Sequence, residues 1–323
     1  MRRLLAGLAT GTFLLVTAAC GSSGGSSSTT GSSGGTTTVK VGIIPIVDVA
    51  PLYLGQKEGF FGKRGLTLST TLAQGGAAIV PGVTSGQFQF GFSNMTSLMI
   101  AQSNGVPVQA IANGVASTGV AGKDFGALVV KKGSSITSPK QLEGKKVAVN
   151  TLKNINETAV RESVRKAGGD PDKVDFVELA FDQMPAALDK GQIDAAMAVE
   201  PALATMKLQG ATEIASPLVD VAQNLTVAMY FTSTSYAQKN PAVVKKFQEA
   251  VAQSLSYADA DAHPDEVRQV VTTYTKTPAD VLAKVTLPKW PAEANRSSIE
   301  TLEKLSEQDG LFKTAPDLAK LLP

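Results

Sequence analysis

The sequence predicts an α/β protein of two lobes, and three observations carry the prediction. Short apolar runs alternate with helical patterns almost from end to end, the signature of strands and helices stacked in layers. A self-contained βα block occupies 126–225, entered through the extended run 126–130 and left through the extended run 225–232, so the chain passes between lobes twice. The segment 39–323 holds about 285 residues, enough for two domains of ordinary size. One lobe is then 39–125 plus 226–323 and the other 126–225. Each crossing is an extended segment whose few dihedrals can serve as a hinge.

The chain opens on a leader at 1–20. Arg2 and Arg3 supply a positive n-region, 4–19 an apolar core, and Ala18-Ala19 the small residues a signal peptidase needs. The stretch resembles a bacterial lipoprotein signal with Cys20 as the lipidated residue, although Thr17 stands where Leu or Val is usual. Ordinary secretion with a stray thiol is the alternative. From 21 to 38 the chain is Gly, Ser and Thr alone, with no apolar surface to offset the entropy of ordering. It reads as a disordered tether with a root-mean-square reach of roughly 20–25 Å. One cysteine in the whole chain allows no internal disulfide, so the core alone must hold the body together.

Strands follow at 39–44, 66–72, 88–92, 108–112, 126–130, 146–149, 174–178, 195–199 and 227–232, each a short apolar or β-branched run. Helices fill the intervals. Pro51 starts the first at its opening turn, where a missing N–H costs little, and Gly62 or Gly65 ends it. Others are expected at 77–85, 95–103, 155–167, 184–190 and 201–209. The C-terminal part is mostly helical, with amphipathic segments at 242–258 and 264–274 and shorter ones at 297–308 and 316–321. No internal repeat is evident in the sequence.

Charge excludes some partners. With 30 basic and 28 acidic residues the formal charge is +2, and loss of Arg2 and Arg3 would leave it neutral. That balance favours neither nucleic acid nor an anionic surface. After the leader no uninterrupted apolar run approaches the ~20 residues of a membrane helix.

Several motifs in order carry a family resemblance. They are Val49-Ala50-Pro51-Leu52-Tyr53-Leu54 followed by Glu58-Gly59-Phe60-Phe61, then Gln74-Gly75-Gly76, Ser93-Asn94-Met95-Thr96 and Gly105-Val106-Pro107-Val108. The run from Leu188 through Asp194 to Ala195, and Glu200-Pro201, complete the set. The chain resembles the nitrate, aliphatic sulfonate, taurine and aminopyrimidine (thiamine-precursor) binding proteins, the solute receptors of ABC importers, over nearly all of 39–323. The resemblance implies the two-lobed type II periplasmic-binding-protein fold. It also implies capture of a small organic solute by hinge closure, with an ABC permease and its ATPase as partners and no cofactor. With a lipidated Cys20 the protein would be an extracytoplasmic monomer anchored to the membrane through lipid. It does not imply one ligand, because the members differ in what they bind.

In open α/β sheets ligands bind beyond the carboxyl ends of strands, at helix N-termini with unpaired N–H groups. Five loops fit that description: 46–50, 74–76, 92–94, 151–156 and Glu200. Gly75 and Gly76 either bring backbone amides close to a ligand or only make a tight turn. Ser93 and Asn94 either donate to a ligand or cap the next helix. Thr151, Asn154 and Asn156 form the corresponding cluster, with Glu157 in the first helical turn. Glu200 either accepts from an amine-bearing solute or faces water as a helix-dipole partner, and Asp48 is equally ambiguous. Neither Asn94 nor Glu200 is expected in a core. Tyr53, Phe92, Phe181, Tyr230 and Trp290 are rings that could stack on a flat solute, though most rings are core. No Arg lies in these loops and Lys153 is the one cation within them; helix N-termini can bind a sulfonate without side-chain charge, so a sulfonate and an aminopyrimidine both stay open, and Asp48 and Glu200 nearby lean the loops toward a neutral or amine-bearing solute.

Catalytic and metal readings find little support. The lone His263 precedes a Pro at a helix start, and the acidic run around it lacks the Gly and terminal Glu of a calcium loop. Around Ser93 the second Gly of a nucleophile elbow is missing. No catalytic or metal-binding residue is therefore assigned. Two alternatives stay open, an aminopyrimidine-related enzyme of the same fold and a solute sensor without transport.

Overall fold

The computed structural model describes residues 35–259 and 263–323. The leader, Cys20 and the tether as far as 34 lie outside the described residues, whereas Thr37 and Thr38, expected in the tether, open the first strand and pair with Leu66 and Thr67. Along the chain the first half runs β1 (Thr37–Ile43), α1 (Ala50–Lys57), β2 (Leu66–Leu72), α2 (Gly76–Thr84), β3 (Phe90–Asn94), α3 (Met95–Ser103) and β4 (Val108–Ala116). After a crossing at 117–125 come β5 (Gly126–Val130), β6 (Lys146–Val149), α4 (Ile155–Lys166), β7 (Asp175–Glu178), α5 (Met184–Asp189), β8 (Ala195–Val199), α6 (Ala202–Leu208), β9 (Thr212–Ala215) and α7 (Pro217–Val221). A second crossing at 222–225 leads to β10 (Thr226–Ser233), α8 (Thr234–Lys239), α9 (Pro241–Asp259), α10 (Pro264–Val271), α11 (Ala279–Leu282), α12 (Arg296–Gln308) and α13 (Leu318–Leu321).

Two five-stranded sheets result, ordered β2-β1-β3-β10-β4 and β7-β6-β8-β5-β9. Both have one plan. Three parallel strands stand in the order second, first, third, and the strand arriving from the crossing runs antiparallel beside the third. A repeat not evident in the sequence is therefore present in topology, because register and connection order constrain it without constraining side chains.

The core forms where the patterns place it. α9 buries Val244, Phe247, Ala250, Val251, Ser254, Leu255 and Ala258, a stripe at three- and four-residue spacing. Phe247 stacks on Phe90 of β3 at 3.9 Å between ring centroids, so the helix is pinned to the first sheet. The C-terminal helices reach both layers: α12 packs on α3 and β10 as well as on α4 and α7. Arg165 of α4 pairs with Asp309 just beyond α12.

Some boundaries differ from expectation for identifiable reasons. α1 stops at Lys57 rather than at Gly62 or Gly65, because Gly59 takes φ +74° and Phe60 N–H donates to the Gly55 carbonyl, closing the helix one turn earlier. β3 begins at Phe90, since Phe88 N–H is used to close the turn after α2 on the Gly82 carbonyl. β9, α7, α8 and α11 are unpredicted. Each is only four to six residues long, too short for a period to register.

Candidate functional site

The loops at the carboxyl ends of both sheets come together. After β2, Gln74 Nε2 donates to the Asn150 carbonyl of the β6–α4 loop at 2.8 Å, and Asn150 Nδ2 returns a bond to the Gln74 carbonyl at 3.2 Å. After β1, Val47 N–H donates to the Glu200 carbonyl at 3.1 Å. Gly75 lies against Thr151 so closely that a Cβ on it would stand 2.8 Å from Thr151 Cγ2. Only a residue without a side chain permits that approach.

On the second sheet the asparagines form a closed network. Asn154 caps α4, its Oδ1 accepting from the N–H groups of Asn156 and Glu157. Its Nδ2 donates to Asn150 Oδ1 and to Thr151 Oγ1, and Asn156 Nδ2 donates to the same Asn150 oxygen. Asn154 and Asn156 are thereby spent on holding the loop, which orients Asn150 and Thr151 toward the first sheet.

Asp48 sits in the turn between β1 and α1, at the junction of the sheets. Trp290 Nε1 donates to its carbonyl and Tyr274 hydroxyl to that of Ile46. Asp48 is 3 % exposed and its Oδ1 has no hydrogen-bond partner. Burial, with repulsion from Asp124, pushes its carboxyl up to about 7 against the pull of its own backbone N–H. Around it stand Tyr53, stacked on Tyr274 at 4.2 Å and bonded to Thr70, and the wholly buried Tyr230, whose hydroxyl is also unpaired.

This arrangement of facing strand ends can hold a small polar molecule between two rigid layers. The sequence matches the family described as NMT1/THI5 like over residues 46–267. The chain belongs to the NMT1/THI5-like family. As a member it is similar to the taurine-binding periplasmic protein of Escherichia coli (strain K12), 26% identical over 304 residues, covering 87% of this chain and 91% of that one. It is also similar to the 4-amino-5-hydroxymethyl-2-methylpyrimidine phosphate synthase THI5 of Saccharomyces cerevisiae, 23% identical over 225 residues, covering 65% and 63%. Among solved structures, the alkanesulfonate-binding protein SsuA from Xanthomonas axonopodis pv. citri matches with a TM-score of 0.74 at 15% identity, covering 90% of this chain and 99% of that one. The ligand binding component of an ABC-type import system from Staphylococcus aureus matches with a TM-score of 0.76 at 15% identity, covering 89% and 96%. The fold of this NMT1/THI5-like chain is the periplasmic-binding-protein fold, as the paired sheets already indicate.

Within the family member's site, several predicted residues take other work. Asn94 is buried, accepting from Ser97 N–H as the cap of α3 and donating to Ser97 Oγ. Ser93 is wholly buried in β3 under Gly76. Glu200, expected outside any core, is 1 % exposed. Its Oε2 accepts from Ala204 N–H and its Oε1 from Thr286 N–H. Burial raises its carboxyl to about 7, while those two bonds and Lys207 draw it down. Both expectations of exposed side chains are thus corrected: loops between strands and helices here are covered by the opposite sheet and by the C-terminal segment. Phe92 and Phe181 are buried, and Trp290 is held by its bond to Asp48. Sequence reasoning missed Asn150, Tyr274 and Thr286. Asn150 directly after a strand offered a signal, whereas Tyr274 and Thr286 come from the C-terminal part and offered none.

Proposed function

We propose that the protein is the extracytoplasmic solute receptor of an ABC importer, closing two lobes, 39–125 plus 226–323 and 126–225, over a small organic molecule. The observation that carries this reading is the direct approach of two strand-end loops, Gln74–Gly75 against Asn150–Thr151, in a chain of this family. A ligand touching both loops at once would lower the free energy of the closed form only, which is what drives hinge closure. Asp48, Tyr53, Gln74, Gly75, Asn150 and Thr151 are the residues proposed to line the cleft. The taurine- and sulfonate-binding relatives support a receptor, and among the described residues no helix is long and apolar enough to cross a membrane.

A dissociation constant in the micromolar range corresponds to about −8 kcal/mol, within reach of a handful of hydrogen bonds and one apolar face. Titration with a panel of small sulfonates, amines and aminopyrimidines is expected to give saturable one-to-one heat and a raised melting temperature. Chemical conversion of any of them by the protein alone would sink the receptor reading. The synthase relatives keep an enzyme in view, but the single histidine, His263, is stacked on Tyr257 beside Glu266 in the α9–α10 corner. Anchoring through Cys20 belongs to the same proposal. Cys20→Ser is expected to shift the protein from the membrane fraction to the soluble one, and unchanged fractionation would count against the lipid.

A further inference from the structure

Away from the facing loops, two adjoining cavities run along the outer edge of the first sheet. β4 is the last strand of that sheet, and its residues from Gln109 to Asn113 form one wall. α9 and the segment 292–296 form others, and no residue of 126–225 lines either cavity. The volumes are about 390 and 380 Å³, and the two share Ile111 and Gln248. Each is of small-molecule size, for which roughly 300–1,000 Å³ is usual.

Hydrogen bonds around the second cavity leave acceptors over and no donors. Asn113 Nδ2 donates to the Pro291 and Glu293 carbonyls at 2.7 and 3.2 Å, which fixes the way its amide faces. Its Oδ1 then has no partner among the described residues, although Asn113 is only 4 % exposed. Gln248 of α9 repeats the pattern: Nε2 donates to the Ile111 carbonyl at 2.7 Å, and no described group donates to Oε1. Asn113 stands two residues, about 7 Å, along β4 from Ile111, so one small molecule can reach both amides. The β4–β10 ladder slips by one residue at Gly114, between the pairs Ala228–Val115 and Met229–Asn113, and such a slip re-aims the side chain beside it. Charges at the rim are paired or in water. Arg296 meets Glu300 at 3.2 Å, Lys320 meets Asp317 at 2.8 Å, and Glu293 is exposed. Ile111, Met229, Leu255 and Leu322 supply apolar lining.

We infer that this edge of the first sheet is a second ligand site, separate from the facing loops, and that it takes an uncharged molecule with an apolar body and a primary amide. The amide NH2 has two donors, one for Asn113 Oδ1 and one for Gln248 Oε1, and the body lies on Ile111, Met229 and Leu255. A buried acceptor left unpaired is unfavourable, and the ligand N–H removes that penalty. A carboxylate offers only acceptors and would set oxygen against oxygen. A tertiary amide has a similar body without an N–H, so it forgoes both bonds.

Two-dimensional NMR of the full chain, with the side-chain amide signals of Asn113 and Gln248 assigned, tests this with benzamide, N,N-dimethylbenzamide and benzoate. Benzamide is expected to move both signals saturably, and the other two to bind roughly tenfold more weakly or worse. Ala252 is exposed on α9 and lines the cavity, so Ala252→Trp is expected to fill the space and abolish the response with the melting temperature nearly unchanged. Gln248→Met keeps the side-chain length and removes one acceptor, and it is expected to cut the lead of benzamide over the dimethyl amide severalfold, a second readout should Ala252→Trp fold poorly. Benzamide leaving both signals in place, dimethylbenzamide or benzoate binding as tightly, a response that survives Ala252→Trp, or a lead intact in Gln248→Met each overturns the inference. The receptor reading stands under all of these outcomes, because its loops lie elsewhere.

Discussion

Gly76→Ala is expected to cost the fold about 3 kcal/mol, while Gly75→Ala, one residue away, leaves folding nearly untouched and weakens ligand capture. A Cβ on residue 76 would stand 1.9 Å from Ser93 Oγ, 2.7 Å from Ser93 Cβ and 2.9 Å from the Ser93 backbone. Ser93 is wholly buried in the centre of the first sheet, so α2 would have to lift from β3. Overpacking of this kind is paid in full on folding. For residue 75 the nearest atoms all belong to the other sheet's loop: Thr151 Cγ2 at 2.8 Å, Asn150 Nδ2 at 3.2 Å and Thr151 Oγ1 at 3.3 Å. Thr151 cannot simply turn away, because Asn154 Nδ2 is bonded to its hydroxyl. The added methyl therefore wedges the halves apart by a few tenths of an ångström without disturbing either sheet. A five- to tenfold loss of affinity, about 1 kcal/mol, is the expected size. Urea unfolding and titration of both variants check the contrast, and equal effects of the two on stability and on affinity would contradict it.

Stability is expected to fall as pH rises from about 4 to about 7, and Asp48→Asn to remove much of that slope. Burial raises Asp48 from an ordinary 3.8, and Glu200 from 4.5, to about 7. Between the ordinary and the raised values each carboxyl is protonated in the fold and ionised in the unfolded chain, so unfolding releases protons. The stability that neutral burial confers is complete below pH 4 and gone above pH 7. Each group accounts for at most about 4 kcal/mol, and relaxation around an ionised side chain lowers the figure. Asparagine at 48 cannot ionise, so the variant is expected to gain on wild type by about 2 kcal/mol between pH 5 and pH 8. Urea unfolding of both proteins at those two values measures it, and parallel pH profiles would refute it. The same residue would then weaken the fold at pH 8 and bind the ligand, a trade frequent at functional sites.

Much of the fold was legible. The strands 66–72, 126–130, 146–149 and 195–199 form with the expected ends: the last three are short, nearly wholly buried apolar runs bounded by turn residues, and 66–72 is an alternating, half-exposed β-branched edge strand. The site was legible as loops and much less so as side chains. Asn94 and Asn154 announce helix starts, and in the structure capping is what their side chains do. Glu200 drew attention as a free carboxylate, yet a backbone N–H from Thr286, 86 residues later, occupies one of its oxygens. Asp48 offers the same two readings in the sequence, and its Oδ1 is left unpaired.

By itself the sequence determined the layered α/β architecture and the loops that carry polar residues, since periodicity and turn chemistry act within a few residues. Tertiary structure alone decided which of those polar groups is spent and which is free. Hydrogen-bond satisfaction depends on atoms brought in from far along the chain, such as Thr286, Trp290 and Tyr274 closing on the turns at Ile46, Asp48 and Glu200, and no local pattern encodes their arrival.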